Sequence, residues 1–241
     1  MTKQAVRTIY RRIMPEGLRQ RIWDFRQRAR TRLRHARAEL PDRLLAFRYG
    51  LRARRMRIPE GYPVATWSIE TNGRNAMRRA WIRSVVRGSV LDVGCGHGFV
   101  TCDMAAVADH VTAIDISPDH LRHAVAMAQV NQIRNVAFAT GDCYSLPFGE
   151  GQFETVTLLE VLEHLEDPAA AVREALRVAA RRVVITVPAH GWMTDTPGHI
   201  NDFTATDLES MLPDKPFVVV REPFTFLLYE IPRERFSTIV P

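Results

Sequence analysis

Apolar residues along this chain recur with two different periods, and the change falls near residue 72. Between Pro15 and Pro41, the residues Leu18, Ile22, Phe25, Ala29, Leu33, Ala36 and Leu40 recur at intervals of four and three. That spacing predicts one helical stripe, with arginine crowding the rest of the circumference. Pro15 suits the first turn of such a helix and Pro41 stops it. A second basic segment, 44–57, continues the pattern less regularly, and Ile58-Pro59-Glu60-Gly61-Tyr62-Pro63 reads as a linker.

Beyond it, a helix is predicted over 75–87, burying Met77, Trp81, Ile82 and Val85. Short β-branched runs then alternate with helical ones. The strands fall at 89–93, 110–115, 135–140, 153–159 and 182–187, and the helices between them at 99–108, 118–131 and 168–180. Strand–helix alternation at this spacing implies βαβ units and a parallel sheet covered on both faces. The tail breaks the rhythm. Runs 217–220 and 224–231 are separated by three residues, too few for a crossover helix, so this pair is predicted antiparallel. The division that follows is a basic helical arm over 1–60 and an α/β domain over 61–241.

Charge sharpens this division. Residues 1–60 hold 18 Lys+Arg against 5 Asp+Glu, and the remainder holds 15 against 22. The basic balance therefore belongs to the arm and not to the body. Three cysteines, Cys95, Cys102 and Cys143, form neither a CxxC pair nor an even set. A disulfide framework or zinc site does not follow, and a reducing cytosol fits best. No apolar run approaches the ~20 residues needed to cross a bilayer, so the expected location is cytoplasmic, with the arm allowing a peripheral place at the inner membrane face.

The chemistry gathers in the strand-to-helix loops. The first strand of the sheet runs into Asp92-Val93-Gly94-Cys95-Gly96-His97-Gly98, where glycines let the backbone turn sharply and approach a ligand closely. Asp115 ends the second strand, 21 residues after Gly94, where an acidic group can take both ribose hydroxyls of an adenosine. Asp142 follows the third strand and is placed to accept from an adenine amino group. Open α/β sheets bind ligands at the carboxyl ends of their strands, and all three features fall there. A dinucleotide site would need GxGxxG, but Phe99 stands where the third glycine belongs.

The strings VLDVGCGHG, TAIDIS, GDCYSLPF and FETVTLLEVLEHLEDP resemble, in order and spacing, the class I S-adenosylmethionine-dependent methyltransferase family. The resemblance covers about residues 72–231. It implies a Rossmann-like, mostly parallel seven-stranded sheet with an antiparallel last strand, preceded here by the N-terminal helical arm. It also implies that Gly94, Gly96 and Gly98, with Cys95, pass near the methionine part of the cofactor, and that Asp92 lies close to its ammonium. Asp115 and Ile116 would hold the ribose side, Asp142 and Cys143 would line the adenine, and Glu160 would touch the cofactor pocket.

Acceptor-side residues are harder to read, because methyl transfer from a sulfonium needs mainly alignment and shielding from water. The candidates follow the fourth strand in Glu160-Val161-Leu162-Glu163-His164. A helical turn would bring Glu160 beside both Glu163 and His164. Those three side chains could hold a divalent cation, or His164 could take a proton; the alternative is that His164 merely packs or caps the turn. The E-x-x-E-H string resembles ubiquinone-pathway O-methyltransferases and enzymes that methylate the terminal 2′-hydroxyl of small RNAs. Residues 189–203, with His190, Trp192, His199 and Asp202, read as a substrate lid, and GHINDFT resembles the string preceding a short helix in small-molecule members. His199 is a further metal ligand or base, or a histidine that orders the lid.

Three readings are open for the arm: packing on the body, lying on an anionic membrane, or binding RNA phosphates. Trp23, Phe25, Phe47 and Tyr49 sit mostly on the apolar stripe and form no exposed stacking ladder, so nucleic acid ranks below membrane. The expectation is a methyltransferase acting on a small-molecule acceptor, at a hydroxyl of a glycan or lipid-linked precursor. An RNA 2′-O-methyltransferase is the competing enzyme, and a non-catalytic adenosylmethionine-binding partner subunit the competing binder.

Overall fold

The computed structural model describes residues 56–57, 59–61, 73–191, 198–213, 217–221 and 224–231. The arginine-rich stripe and Trp192 lie outside them. Helix α1 (Gly73–Val85) leads into β1 (Ser89–Val93), α2 (Phe99–Met104), β2 (His110–Asp115), α3 (Pro118–Val130), β3 (Val136–Thr140) and β4 (Phe153–Leu159). A 3₁₀ turn (Leu162–His164), α4 (Pro168–Val178), β5 (Ala179–Pro188), α5 (Ala205–Ser210), β6 (Phe217–Arg221) and β7 (Phe224–Glu230) complete the order.

The strands form one seven-stranded sheet in the order β3-β2-β1-β4-β5-β7-β6. Strands β1 to β5 run parallel, and β7 lies antiparallel between β5 and β6. The short link before Phe224 thus forces the antiparallel pairing anticipated from its length. Alternation along each strand sorts side chains between two cores. Leu91 and Val93 of β1 join Val156, Leu158 and Ile185 under α4, whereas Val90 joins Trp81, Ile82 and Phe226 under α1. Full burial of side chains such as Ile82, Leu158 and Phe226 contributes about 1.5–3 kcal/mol each. No described helix is long and apolar enough to cross a membrane.

Helix starts follow local chemistry. Ser117 caps α3 by accepting from the His120 amide, and Asp167 caps α4 by accepting from Ala170; each is followed by a proline at the first helical position. Two boundaries differ most from expectation. Helix α2 stops at Met104 instead of running to 108, because Val107 and Ala108 both turn back onto the Met104 carbonyl. Strand β5 begins at Ala179, directly from the cap of α4, and pairs there with Phe153 before the register shifts. Helix α1 buries Arg78, Arg79 and Arg83 along with Trp81 and Ile82. Asp103 of α2 makes that tolerable: it accepts from Arg83 at 2.7 Å and lies 3.9 Å from Arg79, whose guanidinium also covers the Phe99 ring.

Candidate active site

Parallel register places the ends of β1, β2, β3 and β4 side by side: Val93 pairs with Ile114 and Leu158, and Asp115 with Thr140. The glycine loop leaves β1 there. Gly94 and Cys95 donate to the Ile114 carbonyl, and Gly96 donates to Asp115 Oδ2 at 2.8 Å. Gly94, Gly96 and Gly98 all have positive φ. A Cβ on Gly98 would stand 2.7 Å from the Ala124 backbone, and one on Gly94 would stand 2.7 Å from the Val161 side chain. These glycines therefore serve both the turn and the close packing of the loop against α3 and the segment that follows β4.

Asp92 shares its face of β1 with Val90 and is buried, accepting from Thr101 at 2.6 Å and Thr157 at 2.7 Å. Burial pushes its carboxyl up to about 6, against the pull of those two hydroxyls. Asp115 accepts from Gly96, from the Ser117 amide and from His120 Nδ1 at 3.2 Å. Ile116, beside it, is 74% exposed, an apolar surface turned to solvent at the mouth. Asp142 caps its own turn by accepting from the Tyr144 amide. The cysteines are poor nucleophiles, since burial pushes the Cys95 thiol far up and Cys143 up to about 11.

Two cavities open on this edge. One, of about 190 Å³, is walled by Arg78, Asp92, the Gly94–Gly98 loop, Leu159 and Glu160. The other, of about 350 Å³, runs past Asp115, Ile116, His120, Asp142, Cys143, Tyr144 and His164. They share Gly94, Gly96 and Glu160. Every residue anticipated at the cofactor (Asp92, Gly94, Cys95, Gly96, Gly98, Asp115, Ile116, Asp142, Cys143 and Glu160) lines one or both. Arg78 and His120 were missed. Arg78 lies 3.7 Å from Glu160, and its one sequence signal is its place on the buried stripe of α1, four residues before Ile82.

The acceptor side departs from expectation. Glu160 does not share a helical turn with Glu163 and His164. It sits at φ 58°, a left-handed conformation unusual for a side-chain-bearing residue, and its amide donates to Thr186 of β5. The 3₁₀ turn starts only at Leu162 and swings Glu163 inward, to 1% exposure. Among the described residues, the ligand atoms that all lie within 4.8 Å of one another are those of Glu163, His164 and His199, a grouping that differs from the expected Glu160, Glu163 and His164. Both Glu163 side-chain oxygens are buried without a hydrogen-bond partner. Burial, and then the nearby Glu160 charge, push its carboxyl up to about 9. His164 Nδ1 stands 2.9 Å from the Gly198 carbonyl, and its ring meets that of His199 edge-on at 4.7 Å. On the lid, His190 Nδ1 pairs with Asp202 at 2.9 Å.

This combination of a seven-stranded, mostly parallel sheet, a glycine loop after β1 and acidic residues at the end of β2 and just after β3 is that of a Rossmann-like methyltransferase fold. Residues 91–186 match the family described as Methyltransferase domain. Over that stretch the chain is similar to S-adenosylmethionine-dependent methyltransferases. It is 36% identical over 116 residues to a ubiquinone biosynthesis O-methyltransferase of Albidiferax ferrireducens, covering 44% of this chain and 46% of that one. It is 34% identical over 104 residues to ajmaline N-methyltransferase of Rauvolfia serpentina, covering 42% and 36%. The chain thus spans less than half the length of these relatives. Among solved structures, magnesium protoporphyrin IX methyltransferase from Synechocystis with bound SAH superposes with a TM-score of 0.51 at 22% identity, covering 64% of this chain and 80% of that one. A SAM-dependent methyltransferase from Aquifex aeolicus gives 0.52 at 19%, covering 60% and 82%. At these identities the likeness is one of fold.

Proposed function

We propose that this chain transfers the methyl group of S-adenosylmethionine to a hydroxyl oxygen of a small-molecule acceptor. The observation that carries the reading is the common cleft, in which the glycine loop, Asp115 and Asp142 lie at the ends of neighbouring parallel strands or just beyond them, around cavities that share Gly94, Gly96 and Glu160. Asp92 and Arg78, which line the smaller cavity, would hold the ammonium and carboxylate of the methionine end. Asp115 would accept from the ribose hydroxyls, and Ile116, Cys143 and Asp142 would hold the adenine.

Transfer is an in-line displacement on an already activated carbon, so the chain's main task is alignment and exclusion of water. His164 lines the same cavity as Asp115. Because the Gly198 carbonyl can only accept, Nδ1 is the nitrogen that donates to it, which leaves Nε2 as the one able to accept. That nitrogen takes the acceptor proton, a contribution of about 10²–10⁴-fold, with His199 packed beside it.

A divalent ion is a second reading, favoured by the buried, unpartnered Glu163 oxygens next to His164 and His199. One carboxylate and two imidazoles suit a first-row divalent ion. Glu163, His164 and His199 would hold it, and its chemistry would be to polarise the acceptor oxygen and lower its pKa.

The finer proposal is a glycan or lipid-linked acceptor, supported by the basic balance of residues 1–60, which suits an anionic membrane surface. The test is transfer of a labelled methyl group across a panel of sugar, lipid, phenol and RNA acceptors, each with and without chelator. Transfer to a small hydroxyl acceptor supports the reading. Transfer to RNA alone replaces it, and tight cofactor binding with no transfer to any acceptor makes the chain a binding subunit. Full activity in excess chelator removes the metal.

A further inference from the structure

Glu163 and His164 lie on the turn after β4, whereas His199 comes from the segment after β5, 35 residues later in the sequence. No strand pairing joins these stretches among the described residues. They are joined by donors on the later segment that reach carbonyls on the turn. The Ile200 and Asn201 amides both donate to the Glu163 carbonyl, at 2.8 and 3.1 Å. The Asn201 side-chain Nδ2 donates to Leu165 O at 2.6 Å and to Leu162 O at 3.3 Å. On the other side of His199, the Gly198 carbonyl accepts from His164.

A three-residue 3₁₀ turn leaves its last carbonyls short of intrahelical partners. Asn201 answers that need with one side chain. Its partners are carbonyls on both sides of Glu163 and His164, so the group facing them must be the NH₂ end of the amide. His199 is held between this staple and the Gly198–His164 bond, and the spacing of Glu163, His164 and His199 follows from the two ties together.

We propose that Asn201 is a positioning residue, which fixes the acceptor-side turn against the post-β5 segment and thereby sets the geometry of Glu163, His164 and His199. The inference rests on reading those three as the acceptor side of the site. Asn201 lines neither cavity, and its hydrogen bonds go to Leu162, Glu163 and Leu165, none of them read as a cofactor residue. Its loss therefore separates catalysis from cofactor binding.

The experiment compares wild type with Asn201→Asp, which keeps the shape but sets a carboxylate against two carbonyls, and with Asn201→Ala. Amide exchange at Ile200 and Asn201, measured by NMR, is expected to accelerate by about tenfold or more. The cross-peak between the His164 and His199 rings is expected to weaken, with S-adenosylmethionine affinity unchanged by calorimetry. With an acceptor that wild type methylates, kcat is expected to fall by about tenfold to a hundredfold while the KM for cofactor holds. Unchanged exchange and an unchanged ring cross-peak would overturn the inference, as would equal losses in cofactor affinity and kcat. If Asn201→Asp does not fold, the uncharged Asn201→Ala decides by the same readouts. If wild type methylates nothing in the panel, the proposed function fails, while exchange and the cross-peak still decide the role of Asn201.

Discussion

Arg78 and Glu160 face each other across 3.7 Å where the two cavities of the cleft meet, one carried by the helix before the sheet and the other by the end of β4. Removing the cation leaves Glu160 beside the already disfavoured Glu163 carboxyl. Arg78→Met should weaken S-adenosylmethionine binding by about 1–3 kcal/mol, through loss of a charge-assisted hydrogen bond to the methionine carboxylate. Calorimetry checks this, and wild-type affinity would take Arg78 out of the cofactor site.

Asp92 predicts a pH dependence. Its carboxyl is raised from 3.8 to about 6, first by burial. The folded chain therefore holds a proton between about pH 4 and 6 that the unfolded chain has released. The stability from this group is fully present below pH 4 and lost as pH rises through 6. A cationic ammonium favours the ionised form, so cofactor binding expels that proton at low pH. Affinity should be flat above about pH 7 and fall toward tenfold per unit below 6. Calorimetry from pH 5 to 8, in buffers of different ionisation enthalpy, measures both the affinity and the proton release; equal affinity at pH 5 and 7 would contradict it.

Two glycines of one loop should fail differently. Gly98→Ala drives a Cβ into the Ala124 backbone at positive φ and should destabilise the fold by about 2–4 kcal/mol in chemical denaturation. A Cβ on Gly96 meets nothing within 4 Å, so Gly96→Ala carries a strain of only about 1–2 kcal/mol. Gly96 walls both cavities, and its replacement should reduce cofactor affinity more than it reduces stability.

The sheet was legible because its strands are short apolar runs between polar turns, as in Val90-Leu91 or Val183-Val184-Ile185, and the residues read for the cofactor share one cleft because they lie at the ends of consecutive strands. The acceptor side was not. Glu160, Glu163 and His164 have helical spacing, but the left-handed backbone at Glu160 breaks the turn before it forms. That conformation is fixed by the bond to Thr186, a long-range partner that no local pattern reveals. His199 joins the group through the bonds to Gly198, Ile200 and Asn201, which depend on tertiary folding. The burial of Arg78 and Arg83 is matched by Glu160 and Asp103, both far away in the sequence.

The central claim is that the cleft formed by the glycine loop and Asp115 binds the methyl donor. Titration calorimetry of S-adenosylmethionine into wild type and Asp115→Ala tests it most directly. One molecule should bind per chain, and the variant should bind more weakly by about 1–3 kcal/mol, having lost the carboxylate that accepts the ribose hydroxyls. No binding to wild type, or the same affinity in the variant, would contradict the account.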